Sequence, residues 1–121
     1  MLNMDLEYNN QILIVNLKGK LNKRNCYKIN NYLNPLIKKH QIKNVILNLI
    51  NLNYIDNYGI DAIIRIKYLI KNIKGNIKIN GYNDNIKDKI KIIGVRIKKD
   101  SDNIYAWTNN WRKCWINMEY C

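Results

Sequence analysis

The sequence predicts an α/β domain built on a mixed, mostly parallel β-sheet of four to five strands with about four helices. Three observations predict it. Short apolar runs rich in β-branched residues recur at 12–15, 45–49 and 77–79. Segments with apolar residues at helical spacing separate them, and the connections between the two kinds of segment are short, the alternation that builds a parallel sheet. With 121 residues, 14.5 kDa and 47% hydrophobic residues, residues 1–121 are expected to form one domain around one core.

A first strand is expected around Met4 to Tyr8. It turns at Asn9-Asn10, where asparagine tolerates left-handed backbone angles, into a second strand in ILIVNLKGKL that ends near Gly19. Asn22 or Asn25 then caps a helix whose apolar positions are Cys26, Ile29, Leu33, Leu36 and Ile37. Pro35 lies inside that pattern, removes a donor and crowds the Asn31 carbonyl, so a kink or a break into two pieces is expected.

The stretch from Asn44 to Ile60, NVILNLINLNYIDNYGI, organises the rest. Its opening run reads as a strand buried on both faces, of the kind found in a sheet with helices on each side, ending near Leu52. Asp56 and Asn57 follow, then a helix through IDAIIRIKYLIKNIK. The loop thus delivers both side chains to a helix N-terminus, where unpaired N–H groups and the macrodipole favour a negative group by about 0.3–1 kcal/mol. Gly75 is expected to stop that helix as a left-handed cap. Ile77 and Ile79 continue as a strand, and Asn83 or Asp84 starts a helix carrying Ile86, Ile90 and Ile93, with Gly94 as its stop. Val95 and Ile97 form a last strand. Ser101 caps a terminal helix over about 101–119 that places Trp107, Trp111 and Trp115 on one side, either as core packing or as a partner surface.

Several function classes are disfavoured by composition. No stretch approaches about 20 uninterrupted apolar residues, and MLNMDLEYNN lacks a basic-then-apolar leader, so a cytoplasmic protein without membrane insertion is expected. Cys26, Cys114 and Cys121 are odd in number and widely spaced, with only His40 as an imidazole, which argues against a metal site or a disulfide framework. One histidine, no paired carboxylates on a helix and no phosphate-cradling glycine loop leave no catalytic residues to name and no cofactor to expect. The net charge of +12 suggests nucleic acid. However, asparagine and isoleucine, 23 of each, rise alongside lysine, and the lysines stand singly, so the charge reads as residue bias and no direct nucleic-acid partner is expected.

Residues 45–79 resemble the core of the STAS domains, above all the bacterial anti-sigma-factor antagonists typified by stage II sporulation protein AA. Asp56, Gly59, Ile60 and Gly75 match that family's strand, D-S-S-G or D-S-T-G loop, helix start and later glycine. LKGKLN, with Gly19 and Leu21, resembles its G-x-L-D; Asn85, Ile86 and Ile93-Gly94 resemble its third helix, and Ile104 to Trp107, around Ala106, its closing helix. The likeness spans nearly the whole chain. It implies a mixed sheet with helices on its faces and a protein without catalysis, one that binds an anti-sigma serine kinase and so releases a sigma factor. Phosphorylation of the serine after the motif aspartate ends that interaction.

Asn57 stands at the phosphoacceptor position, Tyr58 at the second hydroxyl position and Asn22 where the family often has aspartate. An amide cannot accept a phosphoryl group or the charge of about −1.5 to −2 that it brings, so the switch is expected to be missing and Asn57 to imitate the unmodified serine. The surface expected to grip the kinase is Asp56, Asn57, Tyr58, Gly59, Ile60 and Asp61, with Arg65 and Asn22. Asp56 has a structural role as a helix cap beside this one, and Tyr58 is expected to cover the adjacent loop. A second reading is a STAS accessory subunit of an ABC-type lipid-transport complex. Nothing in the sequence fixes an oligomeric state.

Overall fold

The computed structural model describes residues 1–9 and 11–98. The terminal helix expected over about 101–119, with its three tryptophans, lies outside the described residues. So do Asn10 in the first turn, Cys114 and Cys121.

Five strands form one sheet in the order β1-β2-β3-β4-β5, which is also their order in the chain. β1 (Leu2–Asn9) pairs antiparallel with β2 (Ile12–Leu21), while β3 (Asn44–Ile55), β4 (Asn76–Tyr82) and β5 (Arg96–Lys98) add in parallel. β1 is longer than Met4 to Tyr8. Among the described residues of its turn, the one in the left-handed region is Gln11 (φ 67°). β3 runs past Leu52 to Ile55 because Lys20 and Leu21 of β2 remain paired with Tyr54 and Ile55.

α1 (Tyr27–His40) follows β2, and α2 (Asn57–Asn72) follows β3. Neither Asn22 nor Asn25 caps α1: Cys26 holds that position without a side-chain bond, and both asparagines serve the preceding loop. α1 continues through Pro35 without breaking. Ile29, Leu33 and Ile37 are buried on both sides of the proline in the chain, whereas Pro35 and Asn31 face water, where the carbonyl that lost its donor can be hydrated. The third helical segment is broken instead. A 3-10 turn Asp84–Ile86, α3 (Lys87–Ile90) and a second 3-10 turn Lys91–Ile93 replace one helix, with Ile86, Ile90 and Ile93 buried and Gly94 stopping it in the left-handed region (φ 73°). Asn83 caps its start, its side chain accepting from the Asn85 N–H at 2.9 Å.

Gly75 does not act as a left-handed cap. That role falls to Lys74 (φ 60°), while a Cβ on Gly75 would lie 2.1 Å from the Lys43 carbonyl oxygen. The glycine is needed because the turn into β4 passes against the turn into β3.

The three described helices pack on the same face. Each crossover from β2 to β3, β4 and β5 steps in one direction, and right-handed crossovers then put these three helices on one side. Leu13, Val15, Leu47, Leu49 and Ile79 of the strands share one core cluster with Leu33, Ile37, Ile63, Ile66 and Ile90 of the helices. The central strand is buried on both faces as expected, with Val45, Ile46 and Leu47 all buried, while the described helices lie on one of those faces. Ile12, Ile14 and Ile46 alternate onto the other face and are buried there, outside that cluster.

Candidate functional site

α2 begins where β2 and β3 end, so its N-terminus lies at the carboxyl end of the parallel strands, the end at which open α/β sheets hold their ligands. Asp56 is the N-cap, in extended conformation, and both its oxygens are used. Oδ1 accepts from the Gly59 N–H at 2.9 Å, and Oδ2 accepts from the backbone N–H of Lys23 at 3.0 Å. Its own N–H donates to the Leu21 carbonyl at 3.2 Å. Asp56 thus fastens the β2–α1 loop to the first turn of α2, and its carboxylate meets two donors of a positively polarised environment.

That loop has an internal brace. Asn25, nine-tenths buried, accepts from the Asn22 N–H at 2.9 Å and donates to the Lys20 carbonyl at 2.9 Å. The Asn22 carbonyl accepts from the N–H groups of Asn25 and Cys26, and the Asn22 side chain accepts from the Arg24 N–H at 3.0 Å. Asn22 is therefore a loop-forming residue, with its side-chain oxygen engaged within the turn.

Gly59 and Ile60, expected to touch a partner, are buried. A Cβ on Gly59 would lie 2.8 Å from Ile55 Cγ1, 2.8 Å from the Leu21 carbonyl and 2.9 Å from Leu21 Cγ. The helix start is pressed onto the ends of β2 and β3, and only a glycine fits there. Both residues hold the surface in place from beneath.

Asn57, Tyr58, Asp61 and Arg65 are the exposed members of the expected set. Asn57 is the first residue of α2, and its side chain has no partner among the described residues. Tyr58 is 53% exposed, with Lys23 Nζ 5.2 Å from its ring centre, so the neighbouring loop reaches the tyrosine without covering it. Asp61 and Arg65 form an i,i+4 ion pair at 3.2 Å, in water on both sides. One outward ridge therefore presents an amide, a phenol, a carboxylate and a guanidinium, flanked by exposed Lys23 and Arg24 of the β2–α1 loop. Sequence reasoning missed Lys23, Arg24 and Asn25, which stand 33 to 31 positions before Asp56 and carry no local signal of nearness to it. Among the described residues no group of three metal-ligating side chains converges.

The STAS domain family model matches residues 3–106. The chain belongs to the STAS domain family. Solved structures of this fold agree across nearly the whole chain. The unphosphorylated anti-sigma factor antagonist SpoIIAA superposes with a TM-score of 0.73 at 14% identity, covering 89% of this chain and 98% of that one. A Thermotoga maritima protein described as an anti-sigma factor antagonist gives 0.74 at 15% identity, covering 90% and 95%. The phosphorylated form of the Bacillus cell fate determinant SpoIIAA gives 0.68 at 14%, covering 84% and 96%. At such identities the likeness is one of fold. No curated protein matches the sequence significantly. No described helix of this STAS domain is long and apolar enough to cross a membrane.

Proposed function

We propose that this STAS domain is an anti-sigma factor antagonist that works by binding, without catalysis, in the cytoplasm. Its partner is an anti-sigma factor serine kinase, which on binding releases its sigma factor. The ridge of Asn57, Tyr58, Asp61 and Arg65, with Lys23 and Arg24 beside it, makes the contact. Asp56 and Gly59 hold the ridge in register. The observation that carries this reading is the exposure of Asn57 at the first position of α2, with no side-chain hydrogen bond to the described residues, where the family resemblance puts the phosphoacceptor serine.

Asn57 supplies a neutral polar group there and no hydroxyl. The docking surface then stays in its unmodified state whatever the kinase does, so binding persists in the presence of ATP. The test is a pull-down of the cognate kinase with purified protein, followed by release of sigma from the kinase–sigma complex. Binding and release, unaffected by ATP, are expected. Failure to bind, or co-purification with an ABC-type ATPase in place of the kinase, overturns the proposal.

A further inference from the structure

Lysines scattered along the sequence gather in the fold. α1 ends in Lys38, Lys39 and His40, and α2 carries Lys71 in its last turn. Lys43 and Lys74 lie in the turns that lead from these helices into β3 and β4. Those turns touch: the Asn76 N–H donates to the Lys43 carbonyl at 2.7 Å. All six side chains are exposed at the amino-terminal end of the parallel strands, opposite the end that holds Asp56 and Asn57.

Among the described residues no acidic side chain answers them. With the described residues the five lysines form no ion pair. Asp56 and Asp61 belong to the start of α2, and Asp84 and Asp88 follow the carboxyl end of β4. On β1, Asp5 and Glu7 stand opposite Asn16 and Ile14, on the face away from the helices, where Glu7 accepts from the Asn16 amide at 3.2 Å.

Between the ends of α1 and α2 lies a groove of about 390 Å³ that Lys38 and Lys43 of this cluster help to line. Ile37, Leu69 and Ile73 provide its apolar lining, with Ile73 37% exposed, and Lys38, Gln41 and Lys43 complete the wall. Cations in a helix's last turn offset its dipole, which accounts for Lys38, Lys39, His40 and Lys71. It does not account for Lys43 and Lys74, which lie beyond the helices, nor for an open apolar slot between them.

We propose that this groove docks an acidic segment of a partner protein. An aliphatic side chain of that segment rests on Ile37, Leu69 and Ile73, and its carboxylates meet Lys38, Lys43, Lys71 and Lys74. A flat bilayer has no projection to fill a concave slot, and a nucleic-acid backbone offers phosphates but nothing aliphatic for the floor. The 16 residues of α2 span about 24 Å at 1.5 Å per residue, so this site and the Asn57 ridge do not overlap. The inference therefore stands independently of the function proposed above.

The probe is a short fluorescein-labelled peptide of glutamate and glycine with one central leucine, followed by anisotropy against the full chain at low salt. Saturable binding is expected. Reversing Lys43→Glu together with Lys74→Glu weakens it about tenfold or more, whereas the same charge change at exposed Lys87→Glu and Lys91→Glu has far less effect. Replacing the peptide's leucine by serine weakens binding about fivefold, and Ile73→Ser does the same without adding to it. Absence of saturable binding overturns the proposal, as do equal losses from the two charge reversals or unchanged affinity without the leucine. It also falls if phosphatidylglycerol vesicles or a single-stranded oligonucleotide bind with the Lys43 and Lys74 dependence and the peptide does not.

Discussion

The Asp56 carboxylate accepts a hydrogen bond from the backbone N–H of Lys23, 33 residues earlier, at 3.0 Å, while its other oxygen caps α2 on Gly59. One side chain therefore fixes both the start of the helix and the loop that lies beside it. Asp56→Ala should cost about 1–2 kcal/mol, since it removes an N-cap and leaves the Lys23 donor without its partner. Asp56→Asn should cost less, because its amide oxygen still satisfies one of the two donors. Urea unfolding of the three proteins checks the order; equal stability of all three would mean the cap contributes nothing.

Gly75→Ala and Lys74→Gly separate two reasons for a glycine at a helix end. A methyl group on Gly75 meets the Lys43 backbone at 2.1 Å and must push it, so a loss of about 1–3 kcal/mol is expected. Lys74 already bears the left-handed conformation that costs a side chain, and Lys74→Gly should gain about 0.5–1 kcal/mol. The reverse pattern in thermal unfolding would restore the simple cap.

Asn57→Ser should return a hydroxyl to the exposed first position of α2. Incubated with the cognate kinase and ATP, the variant should gain the mass of one phosphoryl group, and the parent protein none at this position. Phosphorylation should then release the kinase, since about −1.5 to −2 charges enter a neutral contact. The helix itself tolerates the charge, because its N-terminus favours a negative group. Mass spectrometry and a repeat of the pull-down read both steps. A serine left unmodified by a kinase that binds would detach Asn57 from the phosphoacceptor role.

Arg65→Glu tests whether the ridge carries affinity. The ion pair with Asp61 is exposed on both sides, so stability should change by no more than about 0.5 kcal/mol. Kinase affinity should fall about tenfold or more, because a reversed charge enters the docking surface. Calorimetry of unfolding and of binding distinguishes the two effects, and unchanged binding would remove the outer part of α2 from the interface.

Sequence alone determined the alternation of strands and helices, the capping aspartate before α2, the buried isoleucines of the third helical segment and the family resemblance. These are local properties: β-branched runs, helical spacing and a polar pair ahead of an apolar segment are all written within a few residues of each other. Only the tertiary structure decided the rest. The side of the sheet that the helices occupy follows from strand order, and pattern alone does not encode that order. Gly59 and Gly75 are required by backbone that comes from β2 and from the turn into β3, so their neighbours in sequence could not reveal why they are small. Lys23 joins the site through a hydrogen bond to Asp56 across 33 residues, on a loop that Asn25 braces locally, and lysines spaced as if at random meet at one end because two helices and two turns finish there. Local composition sets what each segment can become; which surfaces coincide is fixed by how the segments pack.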